Sequence, residues 1–128
     1  MPRRKVGSDK TFTVSFLKKK VSQFVKQRDW AKYHKPKDLA VSIIIESSEL
    51  LEHFQWSSDQ EIEAMIGDSG RLREVELELA DVVIYCLNLA NVLGTDLSNV
   101  VLAKIRENEK KYPINETRGF YRKTDKIG

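Results

Sequence analysis

The chain has 128 residues, 41% of them hydrophobic and 32% charged, with a formal net charge of +3. Such a length and balance suit one soluble globular domain that buries a core without staples. The one cysteine, Cys86, excludes an internal disulfide and fits a reducing compartment, with the thiol expected to be buried and structural. No apolar run reaches bilayer-spanning length and no signal-peptide pattern opens the sequence. A cytoplasmic protein with no membrane partner is expected.

Residues 1–10 carry Arg3, Arg4, Lys5 and Lys10 against Asp9 and read as a flexible basic N-terminus. A basic surface can bind nucleic acid, but frayed ends and solvated helix faces account for these charges, so no nucleic-acid partner is expected. Phe12, Phe16, Leu17, Val21, Phe24 and Val25 recur at helical spacing and predict a first helix from about Thr11 to Trp30. The stretch "YHKPKD" breaks it, because proline disfavours helix at the preceding residue. A second helix runs from about Asp38 to Trp56. "SSDQEIEAMIGDSG" predicts a short helical turn ended by Gly67 and Gly70. A long helix spans about Arg71 to Leu93, stopped by Gly94. Asp96 caps a last helix from Leu97 to about Tyr112, which Pro113 ends, and residues 113–128 form a basic polar tail. No strand pattern is found, so the fold class is all-α, with a helical domain over residues 11–112.

The long helix is apolar on two sides. Leu72, Val75, Leu79, Val82, Cys86, Leu89 and Leu93 make one seam, and Leu77, Ala80, Ile84, Leu87 and Asn91 make another. A helix apolar on both sides must be covered on both. Four or five helices from one short chain are too few, so the bundle is expected to be completed by a homodimer or homotetramer.

Residues three and four apart share a helix face. That groups Ser42, Glu46, Glu49, His53 and Trp56 on the second helix. On the long helix it groups Glu74, Glu78, Asp81, Tyr85 and Asn88. Apolar neighbours flank these stripes, so the carboxylates are expected to be at least partly buried. Clustered buried carboxylates are costly without a cation, and no Lys or Arg lies in either stripe. A hard divalent ion, Mg²⁺ or Mn²⁺, fits oxygen donors. The candidate ligands are Glu46, Glu49, Glu78 and Asp81, two i,i+3 pairs on facing helices. Di-iron bundles need Glu-x-x-His repeats and zinc sites need Cys or His clusters, and the chain has neither. Glycine-rich phosphate loops are absent as well. His34 and His53 read as surface or capping residues, with His53 a minor catalytic candidate.

Taken together, "RDWAKYHKPKDLAVSIIIESSELLEHFQW", "ELADVVIYCLNLANVLG" and "KIRENEKKYP" resemble the MazG-like all-α nucleotide pyrophosphohydrolases, most closely the short dCTP pyrophosphatase-like branch. The likeness covers about residues 27–123. It implies a Mg²⁺-dependent enzyme that hydrolyses a nucleoside triphosphate to the monophosphate and pyrophosphate, working as a dimer or tetramer. It also implies that Glu46, Glu49, Glu78 and Asp81 are metal ligands and catalytic residues. Trp30 and Trp56 fall where aromatics line the base pocket, and Tyr85 where a tyrosine contacts substrate. Lys104, Asn108 and Tyr112 fall where the last helix meets the phosphates. Ser47 and Ser48 replace the usual small valine, glycine or alanine between the glutamates. Trp30, Trp56 and Tyr85 near one metal site suggest a tight flat pocket that favours the smaller pyrimidine ring, and the resemblance implies a preference for dCTP and its modified forms. Two other functions fit less well. A non-catalytic helical interaction module has no use for inward carboxylates, and the paired tryptophans weigh against a phosphoribosyl-ATP pyrophosphohydrolase.

Overall fold

The computed structural model describes residues 7–119, which fold as α-helices with no strand among them. In chain order these are α1 (Val14–Gln27), α2 (Pro36–Glu52), α3 (Asp59–Ile66), α4 (Ser69–Leu93), α5 (Leu97–Lys111) and the short α6 (Ile114–Thr117). A 3₁₀ turn, Ala31–Tyr33, lies between α1 and α2. The chain divides into two compact units, one ending at Thr95 and the other beginning at Asp96.

Helix ends follow local chemistry. α1 starts three residues later than its hydrophobic spacing predicts. Thr11 is held in a turn by its N–H and hydroxyl, which donate to the Ser8 carbonyl at 3.0 and 3.1 Å. Thr13 then takes the N-cap, accepting the Phe16 N–H on its hydroxyl at 3.1 Å. The same helix ends at Gln27, short of Trp30, because Asp29 adopts a left-handed φ of 53°. The Trp30 N–H reaches back to the Val25 carbonyl and the Asp29 N–H to Lys26, closing the last turn with an aspartate in the place glycine usually holds.

α2 begins at Pro36, two residues before the expected Asp38, because proline's missing N–H costs nothing in the first turn of a helix. It ends at Glu52, so His53 caps it and Trp56 lies beyond it. Ser58 and Glu61 form a reciprocal capping box that makes the predicted short turn a full helix, α3. Asp68 caps α4 by accepting from the Gly70 and Arg71 N–H groups. Gly94, at φ 66°, ends it in the left-handed conformation open to a residue without Cβ.

α4 is the spine of the first unit, and α1, α2 and α3 all pack on it. The core takes Val21 and Val25 from α1, Leu39 from α2, Met65 from α3, and Leu87 and Ala90 from α4. Two polar bonds tie α1 to the end of α4. Lys18 Nζ donates to the Thr95 carbonyl at 2.6 Å, and the Asn91 amide donates to the Lys18 carbonyl at 3.0 Å. Cys86, expected to be buried, is half-buried. A broad apolar surface stays open on the single chain. Ile44 of α2 is 69% exposed, and Ile45, Leu51, Leu77, Leu79 and Ile84 are each exposed as well. No described helix is by itself long and apolar enough to cross a membrane.

Candidate metal centre and adjoining cavity

α2 and α4 pack face to face, so their carboxylate stripes meet across the contact. Glu46, Glu49 and Glu78 each offer an oxygen, and these oxygens lie within 4.8 Å of one another. All three residues are half-buried. Glu46 Oε2 and Glu78 Oε2 are fully buried and accept no hydrogen bond among the described residues. Buried carboxylate oxygens without donors are costly. Burial raises the Glu46 carboxyl above its ordinary 4.5, and the adjacent Glu49, Asp81 and Glu78 carboxylates add to the shift. Burial likewise raises Glu78, helped by Glu49 and Asp81, while the His53 imidazole partly offsets them. The fourth candidate, Asp81, is exposed and stands outside the tight trio, but close enough for its charge to act on both glutamates. Hard oxygen donors, mutual repulsion and unsatisfied buried oxygens together fit a divalent cation, so the group can hold a metal ion.

A cavity of about 540 Å³ opens beside this group. Asp81, whose charge acts on Glu46 and Glu78, also sits on its wall, so the cavity adjoins the acidic cluster. Tyr85 and Asn88 follow Asp81 on the same face of α4 and also line the cavity. Trp30 lines it too, edge-on to Phe24 at 5.7 Å and to His34 at 6.4 Å between ring centroids. Leu17, Val21 and Phe24 of α1 form an apolar wall. The volume lies within the range of small-molecule sites, which pair apolar walls with a few polar groups.

Trp56 stands apart from these residues. It is 87% exposed, lies in the turn after α2 and is not part of the cavity wall. Lys104, Asn108 and Tyr112 belong to the second unit. Lys104 and Asn108 are one turn apart on α5 and Tyr112 caps it. All three are exposed, and Lys104 pairs with Glu107 at 3.4 Å.

The pair the sequence does not expose is His34 with Asn88. His34, expected at the surface or as a cap, is half-buried, and its Nδ1 accepts from the Asn88 side-chain amide at 2.8 Å. The signal for it is an asparagine on the inner stripe of an apolar helix, since a buried amide needs partners.

The facing helices of this all-helical unit bring three glutamates together next to an apolar cavity, an arrangement that can hold a metal ion beside a small ligand. A family model described as MazG-like matches residues 41–126, and the chain belongs to the MazG-like family. The dCTP pyrophosphatase 1 of Rattus norvegicus is 33% identical over 107 residues, 84% of this chain and 63% of that protein. The Homo sapiens dCTP pyrophosphatase 1 is 32% identical over 111 residues, 87% of this chain and 65% of its own length. The chain therefore spans somewhat less than two thirds of these curated relatives. A crystal structure of a pyrophosphatase from Archaeoglobus fulgidus DSM 4304 superposes with a TM-score of 0.66 at 47% identity, covering 74% of this chain and 87% of that one.

Proposed function

We propose that the protein is a Mg²⁺-dependent nucleoside triphosphate pyrophosphohydrolase, releasing nucleoside monophosphate and pyrophosphate and preferring pyrimidine deoxynucleotides such as dCTP. The observation that carries the proposal is Asp81, shared between the acidic cluster and the cavity. Phosphates held at the cluster then lie beside a base held in the cavity. The names of the relatives above point the same way.

A triphosphate is itself anionic and cannot approach four carboxylates without a neutralising ion. Glu46, Glu49, Glu78 and Asp81 would hold that ion. When bound, Mg²⁺ (or Mn²⁺ in its place) supplies a Lewis acid that offsets the charge built up on the phosphate oxygens. Water attacks phosphorus at the α–β anhydride, the bridging P–O bond breaks, and pyrophosphate leaves. A glutamate of the set, or Glu52 one turn beyond Glu49, accepts the water's proton. Trp30 and Tyr85, both on the cavity wall, take the base and sugar. The open apolar faces of α2 and α4 support a homodimer or homotetramer, since large exposed apolar patches mark association surfaces.

The test is a panel of common ribo- and deoxynucleoside triphosphates with Mg²⁺, read out as pyrophosphate. A pyrimidine deoxynucleotide should give the highest kcat/KM, and chelation should abolish turnover. No pyrophosphate from any nucleotide would overturn the proposal. Purines hydrolysed best would overturn the base preference alone.

A further inference from the structure

Asn88 is 5% exposed, yet it lies on the wall of a largely apolar cavity. Its amide nitrogen is committed to His34 Nδ1 at 2.8 Å. Its Oδ1 has no hydrogen-bond partner among the described residues. This oxygen is not among the fully enclosed unpartnered atoms, so it opens on the cavity, where a ligand can offer it a donor. Because His34 Nδ1 accepts this bond, the neutral ring carries its proton on Nε2. With the ring proton on Nε2, turning the Asn88 amide over would set Oδ1 against the Nδ1 lone pair, so this tautomer of His34 holds the amide as it stands.

Asn88 lies seven residues beyond Asp81 on the same face of α4, about 10 Å along the axis at 1.5 Å per residue. Tyr85 sits between them. The helix thus presents in sequence a carboxylate of the acidic cluster, a tyrosine, and a fixed hydrogen-bond acceptor. A nucleotide with its phosphates at the cluster would bring the edge of its base to that acceptor.

Building on the nucleotide reading above, we infer that Asn88, oriented by His34, is the residue that selects among pyrimidines, by accepting a hydrogen bond from an exocyclic amino group on the base. Cytosine offers an amino group where uracil and thymine offer a carbonyl oxygen. A carbonyl there meets the Asn88 oxygen lone pair to lone pair, so the same group attracts one base and rejects the others. Asn88 is the specificity residue and His34 its positioning residue.

The experiment measures kcat/KM for dCTP and dUTP with Mg²⁺ on the full chain and on two variants. The wild type should favour dCTP by about tenfold or more, the scale of one neutral hydrogen bond. Asn88→Leu, similar in size and without polar atoms, should bring the ratio to within about threefold of one, through slower dCTP turnover. His34→Phe leaves Asn88 in place but free to turn, and should narrow the ratio by improving dUTP, which loss of structure alone would not do. Should Asn88→Leu fail to fold, as judged by circular dichroism, His34→Phe decides. A wild type indifferent between dCTP and dUTP, or variants that keep the wild-type ratio, would overturn the inference and leave the pyrophosphohydrolase activity standing. No hydrolysis of any nucleotide would instead overturn the nucleotide reading, and the inference with it.

Discussion

Glu46→Gln separates the two roles of the acidic cluster, because it removes one charge while nearly keeping shape. In the wild type, carboxylate oxygens of Glu46, Glu49 and Glu78 lie within 4.8 Å of one another. At such a separation a like-charge pair costs about 1 kcal/mol in bulk water and about 3–4 kcal/mol at the effective dielectric near a protein surface. Glu46→Gln relieves two such pairs, and its new amide can donate to either neighbour. Partial exposure and partial protonation move the gain toward the lower figure, leaving about 1–3 kcal/mol for the metal-free protein. For a chain of this size that is a rise in Tm of about 4–10 °C. Differential scanning fluorimetry in chelator reads this directly. Added Mg²⁺ should then raise the wild-type Tm, since a ligand that binds only the folded state stabilises it, and move the variant little. Activity should fall steeply in the same variant. A variant that melts at or below the wild-type temperature in chelator would refute the claim that the cluster is strained without a cation.

Three further outcomes are expected. Glu49→Gln and Asp81→Asn should each lower kcat/KM by about a hundredfold or more while the far-ultraviolet circular dichroism stays unchanged, and near-normal turnover in either would remove that residue from the site. The Glu78 carboxyl is raised above 4.5 by burial, then by Glu49 and Asp81, so the folded state holds that proton more tightly than the unfolded chain does. Its contribution to stability is therefore complete below pH 4.5 and is lost as pH climbs through the raised value. The Tm advantage of Glu78→Gln over wild type, measured without metal, should accordingly grow from low pH toward neutrality, and a pH-independent difference would contradict the assigned cause. Light scattering at micromolar concentration should give a dimer or tetramer, and a monomer would mean that the open faces of α2 and α4 need no cover.

The three glutamates are legible in the sequence because i,i+3 spacing is a local property and aliphatic neighbours announce an inward face, whereas Asp81, read the same way, is exposed. Helix α4 is legible for the same reason, down to Gly94. The start of α1 is not, because Phe12 keeps the helical spacing while the Ser8–Thr11 turn holds the backbone elsewhere. Asp29 hides the other end of α1, since a left-handed aspartate looks like any polar helix residue. The cavity is a product of packing among α1, α4 and the Trp30–His34 turn, and no single segment encodes it. His34 and Asn88 are 54 positions apart, and only the fold makes them a pair.

The two bonds that tie Lys18 to Thr95 and Asn91 give α1 an anchor outside the cavity it walls. Leu17 and Val21 flank that lysine, so the wall they form is carried on a helix that Lys18 fastens to the end of α4. Substitutions at Lys18 or Asn91 would thus act as a gauge on how large a guest the wall admits, with the carboxylates untouched. The width of the cavity can be varied from a point that touches none of the clustered glutamates.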